Sequence, residues 1–309
     1  MLSLRIVTSA ALVPLFVVLL CALLAAFAAY PIFWITGDAI GFHSLVNRTG
    51  HLLLLFSAVP AVKYFGLSLR DIGVGGKSEF VRRAAVGILV GAAMLALHVW
   101  ALIALGVREI DTEAWTSGSH MGSVALKALV IGLIVAIIEE TIFRGVLFGA
   151  LRKAAGAVSA VAISSFYFAL LHFLRSDLRP AASEVGWSAG FRIVSDALGN
   201  LSALDPSSFL ALFLAGAFLA WIRAALPAGL GYCIGIHAGW VCIIKTTKAA
   251  TNTTASGYWS FLTGSYDGVI GYLTAAWMSV LVALLVIHVR RSNSDKNRKT
   301  PDGFVNESA

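Results

Sequence analysis

Apolar runs of membrane-spanning length follow one another along this 309-residue chain with only short polar gaps between them. A spanning helix needs roughly 20 mainly apolar residues. About eight stretches qualify, near residues 9–34, 49–69, 84–106, 124–149, 155–174, 207–226, 229–247 and 268–289. Within hydrocarbon a backbone must satisfy its own polar groups, and runs this long do so as helices. The composition agrees. Only 13% of residues are charged and the mean hydropathy is +0.85, whereas a soluble domain carries roughly a quarter charged residues. The expected fold is all-α, a multi-pass transmembrane helical bundle of about eight spans over residues 1–289. Residues 290–309 are polar and charged and read as a disordered cytoplasmic tail.

The same pattern excludes other classes. The net charge of +7 does not indicate nucleic acid, because the bases sit in hydrophilic gaps rather than in a stripe with interleaved aromatics. Cys21, Cys233 and Cys242 lie in apolar runs with no CxxC or zinc-ligand spacing, so no disulfide framework or bound metal is expected. The first run begins near Arg5 and carries Ala28-Ala29, but its apolar stretch exceeds a signal-peptide core and it reads as an uncleaved helix. If the amino terminus is inside, the inner segments hold fourteen Lys and Arg residues and the outer ones eight. The positive-inside rule then puts both termini in the cytoplasm, with a bacterial plasma membrane as the expected site. Between residues 175 and 206 a mixed connection holds a stretch, Val185 to Leu204, suited to a surface-lying amphipathic helix.

An ionised carboxylate in a span costs several kcal/mol unless it is paired or wetted. The fourth span nevertheless contains two in succession, in Ile137-Ile138-Glu139-Glu140-Thr141-Ile142-Phe143-Arg144. Neighbouring helical residues point about 100° apart, while residues four apart share a face. Glu140 therefore aligns with Arg144 as an intramembrane ion pair. Glu139 has no partner in its own helix and requires a wet cavity or a raised pKa. A glutamate in that setting can act as a general base on water.

Two histidines fall where they can join it. Glu139 and His172 are symmetric about the Ala155-Gly156 turn, so an antiparallel hairpin puts both at one depth, and Phe168 one turn earlier can pack on the imidazole. His237 lies beside Gly231, Gly235 and Gly239, a smooth ridge that lets another helix approach. Gly145 and Gly149 suggest a second such approach. His98 reads as a core histidine.

Glu139-Glu140 with Arg144, then Phe168 with His172, then His237 resembles the motif set EExxxR, FxxxH and HxxxN/D of the CAAX prenyl protease and bacteriocin-processing family, also called CPBP or Abi. The resemblance covers a core of about 125–245. It implies a glutamic-type intramembrane endopeptidase, with catalytic Glu139, His172 and His237, supporting Glu140, Arg144 and Phe168, and no cofactor. Glu139 would activate water held with His172, and His237 would stabilise the oxyanion. The third motif departs from the family: position 241 is Val, which has no side-chain donor, so another group must serve, and the Trp240 indole is one candidate.

The resemblance further implies a bilayer and a peptide or protein substrate as partners. A prenylated or otherwise lipidated carboxyl terminus, a leader peptide and a carboxyl-terminal sorting segment all fit. Rival readings of the same residues are a zinc-dependent peptidase using Glu139, His172 and His237 as ligands, a non-enzymatic membrane binding or immunity factor, and a proton-coupled transporter. The zinc reading lacks an HExxH helix, and the transporter reading lacks visible inverted repeats.

Overall fold

The computed structural model describes residues 2–115, 118–254 and 257–299. Its long helices are α1 (Leu2–Thr36), α2 (Phe42–Tyr64), α3 (Lys77–Ala104), α4 (Gly118–Glu140), α5 (Phe148–His172), α7 (Pro206–Ala225), α8 (Leu230–Ala250) and α9 (Tyr272–Lys299), with the shorter α6 at Trp187–Gly199. A π-helical turn, Thr141–Leu147, joins α4 to α5. Two three-residue strands, β1 (Arg108–Ile110) and β2 (Thr251–Thr253), pair antiparallel at one end of the bundle. The molecule is an all-α multi-pass bundle.

Each of the eight apolar runs overlaps a helix. Among the described residues, six helical stretches are long and apolar enough to cross a membrane. One of them, His120–His172, contains both arms expected at 124–149 and 155–174. The arms fold back at Gly156, whose φ of 81° is open only to a residue without a Cβ. Leu230–Ala250 is not among the six, since glycines, His237, Lys245 and Lys248 dilute its apolar content. Protein replaces lipid around it, with α3 on one side and α4 on the other.

The glycine ridge of α8 produces that central position. A Cβ on Gly231 would fall 2.8 Å from the Phe80 carbonyl oxygen, and Gly235 and Gly239 press as closely on the α3 backbone. On α4, Gly132 meets the Ala238 carbonyl in the same way. The Gly145–Gly149 spacing has a different neighbour from the helix expected of it. The turn at Asp71-Ile72 fills the notch, with the Asp71 carbonyl 2.8 Å from a Cβ placed on Gly149.

Buried arginines fasten the two ends. Arg223, 1% exposed, donates to the carbonyls of Arg70 and Asp71 at 3.2 and 2.6 Å and holds the connection between α2 and α3. Arg108 ties the opposite end through Thr251, Thr253 and the Gly268 carbonyl. The amphipathic stretch forms α6, with Ala189, Gly190, Ile193 and Ala197 inward and Trp187 against Phe27 and Tyr30 of α1. His98 is a core histidine, with Nε2 near the Val269 carbonyl and the Thr274 hydroxyl. At the carboxyl end, α9 continues to Lys299. That helix carries into the polar, charged stretch that starts at residue 290. The remainder of that tail lies outside the described residues.

Candidate active site

Glu139 and Glu140 close α4, and the helical twist sends them into different surroundings. Glu140 is fully buried, as is Arg144. The Arg144 guanidinium donates to Glu140 Oε1 at 2.9 Å and to the Gly216 carbonyl of α7 at 3.1 Å. It also lies 4.2 Å from the centre of the Phe168 ring, a desolvated cation–π contact. The expected pair is therefore present, and it is tied to α7 and α5 as well. The π turn that begins at Thr141 shifts the helix register directly after the two acids, a distortion frequent at functional sites.

His237 reaches this pair from α8. Its Nδ1 lies 2.9 Å from Glu140 Oε1. A carboxylate can only accept, so Nδ1 carries the proton. This leaves Nε2 turned toward Glu139, whose Oε2 is 4.0 Å away. The sequence placed His237 near the acids but did not distinguish which carboxylate it would bond. In the fold Glu140 holds the ring and Glu139 faces its free nitrogen.

His172 completes the set from the end of α5. Its Nδ1 is 2.7 Å from the Phe168 carbonyl oxygen, which fixes the proton there. Its Nε2 lies 3.8 Å from Glu139 Oε2. Phe168 packs on both imidazoles, with ring centres 4.5 Å from His172 and 5.7 Å from His237. The hairpin symmetry thus delivers Glu139 and His172 to one depth. Glu139 Oε2 is buried and has no hydrogen-bond partner among the described residues.

Two cavities meet at this point. One, of about 380 Å³, runs between α3, α7, α8 and α9 and is lined by His237, Trp240, Val241 and Trp277. The other, of about 330 Å³, lies between α1, α2, α4 and α6. Glu139, His172, Arg175 and Tyr266 line both. The connection after α5 therefore walls the second cavity, through Ile193, Val194, Ala197 and Leu198 of α6. Both cavities reach the end of the bundle that carries Arg175 and Tyr266, opposite the turn at Gly156.

The six residues singled out in the sequence, Glu139, Glu140, Arg144, Phe168, His172 and His237, are brought together. Trp240 shares the first cavity but sits against Phe218 at 6.2 Å, within a cluster that includes Leu95 and Met278. Arg175 and Tyr266 were not legible beforehand. Both lie in irregular connections, with no periodic pattern or motif to mark them. Among the described residues no group of three or more His, Cys, Asp or Glu side chains is disposed to hold a metal ion.

No curated protein and no solved structure matches the chain. A family model does match, over residues 121–243, from the first turn of α4 into α8, and that stretch holds all six of the clustered residues. Over this segment the chain is similar to the Rce1-like family of type II CAAX prenyl endopeptidases.

Proposed function

We propose that the protein is an intramembrane endopeptidase in which Glu139 activates a water molecule to hydrolyse a peptide bond of a membrane-associated substrate. The observation that carries the reading is the position of Glu139 Oε2, 3.8 Å from His172 Nε2 and 4.0 Å from His237 Nε2 at the meeting of two cavities. A gap of that size admits one water hydrogen-bonded to both Glu139 and His172, which is the reach a general base requires.

In the proposed reaction, Glu139 accepts a proton from the water while the unprotonated Nε2 of His172 orients it. The oxygen attacks the scissile carbonyl and forms the tetrahedral intermediate. His237, held by the Glu140 carboxylate on Nδ1, enters the reaction with Nε2 protonated as well and donates a hydrogen bond from it to the negative oxygen, keeping that proton throughout. The carbonyl then reforms as the C–N bond breaks, and Glu139 returns its proton to the departing amine. The Arg144 guanidinium and His237 Nδ1 both donate to Glu140 Oε1, so that Glu140 holds His237 and takes no part in proton transfer. The zinc reading draws on the same three side chains, and chelation separates the two.

The substrate is a peptide or protein segment with an apolar or lipidated part, since Val18, Leu54, Ile142, Leu171 and Ile193 line the second cavity. With both termini cytoplasmic, the cavities open toward the outer face. Cysteine labelling at position 154, beside the Gly156 turn, and at the exposed position 188 of α6 tests that orientation. The central test expresses Glu139→Gln, His172→Ala and His237→Ala at wild-type levels and compares membrane and secreted peptide termini with those of the wild type. Loss of one set of termini in all three strains is expected. Unchanged termini, or full biological function, in the Glu139→Gln strain would overturn the reading in favour of a binding or transport protein.

A further inference from the structure

Position 241 lines the first cavity with a valine, so of the two motif positions on α8 only His237 carries a side-chain donor. An oxyanion that develops next to Glu139 must lie where the two cavities join. Among the described residues, two besides Glu139 and His172 line both cavities, Arg175 and Tyr266. Arg175 is committed elsewhere. Its guanidinium carbon lies 4.5 Å from the centre of the Tyr266 ring, and its Nη1 donates to the Tyr266 carbonyl at 3.1 Å.

Tyr266 is thereby fixed from two directions. Arg175 holds its backbone and one ring face, and Phe173 packs at 5.3 Å between ring centres. The His172 ring is 6.2 Å away. The loop around it is braced as well: Asp267 Oδ1 accepts from the N–H groups of Val269 and Ile270, both at 2.9 Å. A phenol has one O–H to donate, and the residue that carries this one lines both cavities together with Glu139 and His172.

We infer that Tyr266 is a catalytic hydrogen-bond donor to the substrate carbonyl oxygen, taking the part that the valine at position 241 leaves empty, with Arg175 as its positioning residue. The inference rests on the endopeptidase reading above and deepens it. The phenol donates to the carbonyl as water attacks and keeps its own proton, so no bond of Tyr266 breaks. Burial, with the charges of Asp267 and Glu139 and against that of Arg175, pushes the phenol up to about 12. It therefore stays protonated, and a donor, across the working range of an enzyme.

The test uses the intact protein in its own membrane. The rate read out is the appearance of those peptide termini that wild-type cells form and Glu139→Gln cells do not. Tyr266→Phe keeps the ring and removes only the O–H. It should slow that rate about 100-fold, the usual loss for one oxyanion donor, with no change in the amount or thermal midpoint of the protein. Adding Val241→Asn to Tyr266→Phe should recover part of the rate, because an amide donor returns on α8; a purely packing role for Tyr266 predicts no such rescue. Arg175→Gln should slow the reaction less than Tyr266→Phe.

A wild-type rate in Tyr266→Phe overturns the inference and leaves the endopeptidase reading intact. So does a slow Tyr266→Phe whose midpoint falls in step and which Val241→Asn does not rescue. If wild-type and Glu139→Gln cells form the same termini, the endopeptidase reading itself fails, and the inference with it.

Discussion

Glu139 and Glu140 are consecutive, yet they stand in two different chemical regions. Around Glu140 the bundle is closed: Arg144 and His237 both donate to one oxygen, Arg144 reaches α7, and Phe168 covers the guanidinium. Around Glu139 it is open: 19% of the side chain is exposed, two imidazole nitrogens approach without bonding directly, and two cavities join. The difference follows from the twist of one helix, which turns neighbours about 100° apart. A membrane protein can thus hold one carboxylate as structure and leave the next available for reaction. The charged network behind the site fixes the groups in front of it.

The contrast predicts which measurement each substitution should move. Glu139→Gln should abolish hydrolysis, a loss of at least the 10²–10⁴-fold typical of a general base, while leaving the thermal midpoint unchanged. A large fall in the midpoint would show that Glu139 is structural like its neighbour. Arg144→Met should act in the opposite way, since breaking a buried pair leaves an uncompensated charge and costs about 3–5 kcal/mol. Thermal unfolding in detergent checks this, and an Arg144→Met protein of normal midpoint and activity would remove the distinction drawn here.

A smaller effect is expected at the start of α7. Asp205 caps that helix, with its carboxylate accepting from the hydroxyls and N–H groups of Ser207 and Ser208. Burial raises its pKa, but the hydroxyls of Ser208 and Ser207 and then their N–H groups outweigh it, and the net direction is down. A depressed carboxylate contributes stability above its unfolded pKa and loses it as the pH falls through the folded value. Asp205→Ala should therefore cost about 1 kcal/mol at neutral pH, and the gap from wild type should close on strong acidification. Activity per folded molecule should not change. Smallest of all is the expected effect of a chelator. Hydrolysis should persist in its presence; activity lost to chelation and restored by zinc would replace the water-activating carboxylate with the metal reading.

Much of this was legible before any fold was known, and for definite reasons. Apolar run length sets the helices, because a bilayer leaves the backbone few alternatives. Fixed helical rise made the shared depth of Glu139 and His172 a matter of counting outward from Gly156. The spacing of Glu140 and Arg144 gave their pairing, and the glycines of α8 gave its close approach to a neighbour. Which helices would surround α8 was not legible, since its place between α3 and α4 is set by packing.

What the linear order could not contain are relations between groups brought together by packing alone. That His237 bonds Glu140 and faces Glu139 depends on the rotation of α8 between α3 and α4. That Tyr266 returns to the site, some 30 residues beyond His237, depends on Arg175, Asp267 and the β1–β2 pairing that brace its loop. No periodicity records such a position, because an irregular segment takes its course from distant contacts and has no local repeat. The sequence thus determined which groups lie in the membrane and at what depth, where backbone geometry is regular. Only the tertiary structure decided which of them line the cavities and which are sealed within the bundle.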